Sequence, residues 1–229
     1  MKILITAGST RTMIDQVRCI SNVFKGRTGE AIANYIASEK DQHEVTLLSS
    51  TDPETSLLEK SNFNFIKYRT YDDLYEMMQA EITTGDYDVV VHSAAVSDYK
   101  PAGVFFDEGG NGTRLKEIDS SSKVGSDHEE LFLRMIPTEK IVDKIRDPWG
   151  FKGVLVKFKL QVDMKDLKLI DVAFNSMKHS EADIMVANCL EWSRNRAYIL
   201  SDRSPGFNAK MVKRIDLPQK LLVQIKDKV

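Results

Sequence analysis

Residues 1–30, MKILITAGSTRTMIDQVRCISNVFKGRTGE, decide the fold. Ile3, Leu4 and Ile5 form a short apolar run that stops at Thr6-Ala7-Gly8-Ser9-Thr10. That is the pattern of a buried parallel strand opening into a loop of small, hydroxyl-bearing residues. Gly8 lets a backbone N–H approach an anion, Ser9 and Thr10 add hydroxyl donors, and Arg11 and Arg18 bring positive charge nearby. A second small loop, Gly26-Arg27-Thr28-Gly29, leads into residues 30–37, whose apolar spacing suits a helix packed on a sheet. Two candidate anion cradles therefore fall within one strand-loop-helix unit. Taken singly, Ser9-Thr10 also suits an ordinary turn, and one Gly-x-x-Gly spacing recurs by chance.

The same alternation continues outward. Glu44 to Leu48 reads as a second strand and Phe63 to Tyr68 as a shorter one near an edge. Thr70 then caps a helix with Asp72 and Asp73 in its first turn and Leu74, Met77, Met78 and Ile82 on one face. Tyr87 to His92, with Val89-Val90-Val91, reads as a central strand buried on both faces. It ends at Ser93-Ala94-Ala95-Val96-Ser97-Asp98, expected beside residues 6–10 at the crevice where open α/β sheets bind ligands. Ala94 and Ala95 permit close backbone approach, and Asp98 can accept hydrogen bonds from an amino group or a ribose hydroxyl.

Further strands are expected at Leu131 to Met135, Gly153 to Leu160, Asp183 to Asn188 and Arg196 to Leu200. Helices are expected from an N-cap at Thr138 through Arg146, over Asp166 to His179, and from Leu217 to Val229 with Pro218 at its start. Residues 101 to 128 break the rhythm and read as a flexible polar loop, a mobile lid or dimerisation segment carrying Lys123. The chain is predicted to be a single α/β domain, residues 1–229, built on a parallel-rich sheet with helices on both faces.

Composition narrows the function classes. Hydrophobic residues at 42% and charged residues at 29% are ordinary for a globular domain, and 32 basic against 34 acidic side chains argue against a general nucleic-acid binder. Cys19 and Cys189 are too few for a disulfide scaffold and lack zinc-like spacing, so no metal ligand set is expected and a reducing, cytoplasmic setting is. No signal-peptide layout or membrane-length apolar run is present, and no membrane partner is expected.

The blocks ITAGSTRTMIDQVRCISN, GRTG, SAAVSDYKP, the loop lysine of SKVG, KFKLQVD and ADIMVAN occur in one order from residue 3 to about residue 190. In that order they resemble the phosphopantothenoylcysteine synthetase family, the phosphopantothenate–cysteine ligases of coenzyme A biosynthesis, in a stand-alone form. The resemblance implies a Rossmann-like homodimer acting on small molecules. Its substrates would be 4'-phosphopantothenate, L-cysteine and CTP or ATP, with Mg2+ accompanying the triphosphate, and the reaction would pass through an acyl-nucleotidylate.

It also implies roles for individual residues. Lys123 matches the lysine of the family's flexible loop, and Asn22 the asparagine that holds the acyl intermediate. Ala94, Ala95 and Asp98 match the nucleotide-binding turn, together with Gly8, Ser9 and Thr10. Phe158 matches an aromatic lining the base, and Glu139 and Lys140 lie in the turn offering backbone groups to the nucleotide. Arg18, Asn22, Lys25 and Arg27 would surround the substrate phosphate, with some of them crossing the dimer. Departures are visible: SNVFKGRTG stands where the family reads SNxSSGKMG, Ser9 replaces a usual glycine, and ANC replaces AND at Cys189.

Each residue alone has a plainer reading. Lys123 suits a solvated loop, Asp98 and Asn22 a turn or cap, Phe158 the core, and His92 a satisfied core histidine. Two rival functions are a nicotinamide-dependent reductase, which calls for G-x-G-x-x-G and an acidic residue at the end of the second strand, and a non-catalytic nucleotide sensor.

Overall fold

The computed structural model describes every residue except 42, 111, 113 and 202–208. The opening run becomes β1 (Lys2–Ala7), and a short hairpin follows, β2 (Arg11–Met13) and β3 (Cys19–Ser21). Next come α1 (Arg27–Ala37), β4 (Glu44–Ser49), α2 (Thr55–Leu58), β5 (Phe63–Lys67), α3 (Tyr71–Thr84) and β6 (Val89–His92). The middle of the chain holds β7 (Tyr99–Asp107), β8 (Leu115–Ile118), β9 (Phe132–Pro137) and α4 (Val142–Arg146). The rest is β10 (Val154–Gln161), α5 (Asp166–His179), β11 (Ile184–Cys189), β12 (Arg196–Leu200), β13 (Ala209–Lys213) and α6 (Leu217–Lys226).

Eight strands form the main sheet in the order β13-β12-β11-β10-β6-β1-β4-β5. From β11 to β5 neighbours run parallel; β12 reverses direction, pairing antiparallel with β11 and with β13. Period-two alternation sends successive side chains to opposite faces. Leu4, Val90 and Leu155 join Leu74, Met78, Leu169, Ala173 and Met177 on the face covered by α3 and α5. Ile3, Ile5, Val89, Val91 and Val154 meet Ile32, Ile36, Leu221 and Ile225 on the face covered by α1 and α6. The result is the α/β, Rossmann-like, parallel-rich sheet with helices on both faces that the alternation predicts. Thr70 accepts the Asp73 N–H while the Asp73 carboxylate returns to the Thr70 N–H, a complete capping box at the start of α3.

Two expectations are corrected. Residues 101–128 are not a loop throughout: β7 pairs antiparallel with both β8 and β9 in a separate three-stranded arm, and Val104 is buried. Apart from Val104 the arm's strands carry exposed and half-buried side chains, so they lack the buried run that marks a sheet core. Thr138 is not an N-cap either. Its hydroxyl donates to the Ser97 carbonyl at 2.6 Å, and α4 starts only at Val142. Among the described residues no helix is long and apolar enough to cross a membrane.

Candidate active site

The parallel strands direct their C-terminal ends to one edge, and the loop after β1 meets the turn after β6 there. Gly8 adopts φ 83°, and a Cβ added to it would fall 2.1 Å from the Ser50 hydroxyl at the end of β4. Gly26, the residue capping α1, adopts φ 75°, and a Cβ there would fall 2.3 Å from the Gly8 nitrogen. The two glycine loops legible in the sequence therefore lie backbone against backbone, a contact only glycine permits.

The turn at residues 93–98 is stitched to this loop. The Ala95 N–H donates to the Gly8 carbonyl at 2.8 Å, and the Ala95 carbonyl accepts the Thr10 N–H at 3.3 Å and the Asn22 side-chain amide at 3.1 Å. The Ala94 N–H donates to the Thr6 hydroxyl at 3.2 Å, and the Ser97 N–H to the Thr10 hydroxyl at 2.9 Å. Thr10 is fully buried and the Ser9 hydroxyl donates to the Asn22 carbonyl at 3.1 Å. In this arrangement those hydroxyls hold the loop's shape, where the sequence suggested donors open to a ligand. Behind the turn, Thr138 donates its N–H to the Asp98 carbonyl at 2.9 Å, and the Tyr71 hydroxyl donates to the Glu139 carbonyl at 2.6 Å. Residues 8–10, 22, 94, 95, 98 and 139 thus gather at the C-terminal edge of the parallel strands, with the Asp98 side chain exposed.

Other expected residues stand at its rim. Lys25 and Arg27 are exposed just before and at the start of α1, and the Lys25 carbonyl accepts the Thr51 hydroxyl at 3.1 Å. Phe158 lies on β10, half-buried and packed against the α1-side core, beyond the last residue of β6. Lys140 is exposed in the turn before α4. Arg18 and Lys123 are elsewhere. Arg18 sits at the far tip of the β2-β3 hairpin, where its guanidinium donates to the Asp15 carboxylate at 3.0 Å and the Val124 carbonyl at 3.1 Å. Lys123 is therefore drawn to the hairpin tip, whereas Asn22 follows the hairpin base, where Arg11 pairs with Ser21.

The electrostatics separate the crevice floor from its rim. His92, at the end of β6, is buried; its Nδ1 faces the Thr6 hydroxyl at 2.9 Å. Burial, with the neighbouring Lys157 charge, pulls its pKa down to about 4, so the ring is neutral at pH 7. Lys157, its register partner on β10, is itself lowered to about 8 by burial. Burial would raise the Asp15 carboxyl, but N–H groups of Val17, Arg18 and Val124 and the Arg18 charge bring it below its ordinary value. Arg214, half-buried, donates to the Asn188 side-chain oxygen at 3.3 Å and to the Thr28 hydroxyl, adding a cation beside α1.

Sequence reasoning placed Thr6 in this region but missed Ser50 and Asp15 as parts of it. Only Asp15 left a local signal, since Asp followed by turn residues commonly bonds N–H groups two and three positions on. The described residues contain no cluster of three or more His, Cys, Asp or Glu suited to a metal ion.

The glycine loops and buried hydroxyls lie at the switch point of a Rossmann-like sheet, the place where α/β proteins of this architecture bind their ligands. Residues 1–227 match the DNA/pantothenate metabolism flavoprotein C-terminal domain, and the chain belongs to that family. It is 33% identical over 193 residues to the coenzyme A biosynthesis bifunctional protein CoaBC of Thermococcus kodakarensis, covering 83% of this chain and 41% of that one. The chain thus spans about two-fifths of that relative's length. The crystal structure of the DNA/pantothenate metabolism flavoprotein from Streptococcus pneumoniae superposes with a TM-score of 0.82 at 28% identity, covering 99% of both chains. A Cab2 variant in complex with phosphopantothenate-cysteine shares the fold at a TM-score of 0.71 and 14% identity, covering 98% of this chain and 86% of that one.

Proposed function

We propose that this domain is a ligase that joins 4'-phosphopantothenate to L-cysteine in coenzyme A biosynthesis, driven by CTP or ATP. The observation that carries the reading is the convergence of Thr10 and Asn22 on the Ala95 carbonyl, which joins the β1 loop, the Asn22 amide and the β6 turn at the sheet edge where α/β proteins bind ligands. Membership of the pantothenate-metabolism family and the phosphopantothenate-cysteine bound by a protein of the same fold support it.

In this reading the substrate carboxylate attacks the α-phosphorus of the triphosphate, the bond to the β-phosphate breaks, and pyrophosphate leaves. The cysteine amine then attacks the acyl carbon of the mixed anhydride, the nucleoside monophosphate departs and the amine loses a proton. Both substrates are anions, so fixed and mobile cations lower the barrier most. Magnesium enters as part of the triphosphate substrate. Asn22 both donates and accepts, which suits it to hold the acyl intermediate. The backbone around Gly8, Ser9, Ala94 and Ala95 and the exposed Asp98 receive the nucleotide, with Phe158 and the turn at Glu139 and Lys140 beside it. Lys25 and Arg27 meet the substrate phosphate, and Lys123 supplies positive charge to the reacting phosphates from its loop.

A homodimer bringing Arg18 and Lys123 of one copy toward the crevice of another would fit their place at the hairpin tip. An NAD-dependent reductase finds no support, since the end of β4 carries Ser49 and Ser50 where such an enzyme places a carboxylate. The test incubates purified protein with phosphopantothenate, cysteine, magnesium and either triphosphate and measures pyrophosphate. Sustained release over many turnovers that requires all three substrates is expected, and its absence with both triphosphates overturns the reading. Nucleotide binding without release would instead identify a sensor.

A further inference from the structure

We infer that Asp15 is a positioning residue that pins the Lys123 loop to the β2-β3 hairpin; the inference rests on the loop-lysine reading above. The Asp15 side chain has no exposed surface. One oxygen accepts the N–H groups of Val17 at 2.7 Å and Arg18 at 2.6 Å, which shapes the hairpin tip. The other accepts the N–H of Val124, 109 positions along the chain, at 3.1 Å, and the Arg18 guanidinium at 3.0 Å. Arg18 closes the clasp by donating to the Val124 carbonyl at 3.1 Å.

A second tether lies just upstream, where the Gln16 side-chain amide donates to the Ser121 carbonyl at 2.8 Å. Lys123 is exposed between the two anchors, next to the buried Val124. A buried carboxylate that accepts four donors is far better satisfied than a turn requires, and one of those donors comes from the lysine loop. The loop is consequently not a free tether. Its lysine pivots over a single residue from a fixed point on the hairpin whose base carries Asn22. Removing the carboxylate's charge frees Val124 and disperses the lysine over many positions, a loss of orientation that lowers turnover more than affinity.

Two measurements on the full chain test this. Limited trypsin digestion, followed by mass spectrometry, reads the Lys123–Val124 bond. Asp15→Asn should accelerate its cleavage at least tenfold while cleavage after Lys220, in α6, keeps its rate. An unchanged rate after Lys123 overturns the inference. Should Asp15→Asn raise cleavage at every site together, Gln16→Ala decides: it alters an exposed residue and removes only the Ser121 tether, and it must speed cleavage after Lys123 alone. The second measurement is a double-mutant cycle in pyrophosphate release. Asp15→Asn should lower kcat at least tenfold with KM for the triphosphate within twofold, and should cost nothing further in a Lys123→Gln background. Additive losses overturn the inference. If Lys123→Gln alone leaves turnover intact, the lysine's catalytic role falls, whereas the digestion still decides whether Asp15 pins the loop.

Discussion

Asn22 donates its side-chain amide to the carbonyl of Ala95, 73 positions downstream, at 3.1 Å. That bond joins the end of the hairpin to the turn after the central strand at the C-terminal edge of the sheet. Asn22→Ala leaves the carbonyl with the Thr10 N–H alone, and Asn22→Asp sets a carboxylate against it and adds negative charge where two anionic substrates meet. Both variants should lower pyrophosphate release by roughly 10²-fold or more, with Asp the worse of the two. Asn22 is exposed, so thermal melting should shift little, and steady-state kinetics with parallel melting curves separates the two effects.

Gly26→Ala should be among the costliest small substitutions in the chain. Its φ of 75° is strained for any L side chain, and the new methyl would meet the Gly8 nitrogen at 2.3 Å. Strain and overpacking together should cost roughly 3 kcal/mol or more. Gly150→Ala is the control: φ is 67° but nothing lies within 4 Å, so only the backbone cost, about 1 kcal/mol, remains. Urea unfolding of the two variants reads the difference.

Stability should fall on acidification through a window set by His92. Its pKa is about 4 in the folded chain against an ordinary 6.5. Between those values the unfolded chain binds the proton that the folded chain refuses. Stability from this group is thus complete above pH 6.5 and is lost progressively as pH falls toward 4, by about 3 kcal/mol in all. His92→Asn should flatten that part of the urea-midpoint profile relative to wild type. Lys157→Met, which removes the neighbouring charge, should raise the folded-state pKa of His92, so that the fall still begins near pH 6.5 but ends at a higher pH and is smaller.

Thr70→Ala should cost about 1 kcal/mol by opening the capping box at the start of α3. Asp73→Asn should cost less, because an amide oxygen still accepts from the Thr70 N–H. Chemical denaturation of the single variants and the pair should show losses that do not add, since the two side chains satisfy one another across one turn.

The sequence made the main sheet legible because its strands are short apolar runs that need no distant partner to be recognised. Ile3 to Ile5 and Val89 to Val91 declare burial by themselves, and Thr70 with Asp73 declares a helix start. The arm did not show itself. Residues 115–118 read Leu-Lys-Glu-Ile and become a strand only because Val104 and Phe105 stand opposite, and that pairing leaves no mark in a local window. The same holds in the site. Gly8 and Gly26 announced tight loops, but nothing near Asp15 foretold that Val124 would be its partner, and nothing near Thr10 foretold that Ser97 would occupy its hydroxyl.

The contact between Gly8 and Gly26 has a mechanical consequence. With two peptide planes touching and no side chain between them, the strand-end loop and the start of α1 form one stiff bracket, unable to open or close around a guest. Whatever breathing turnover demands must then be borne by the segments facing that bracket, and substitutions that stiffen those segments would slow the cycle without touching a single group in the crevice.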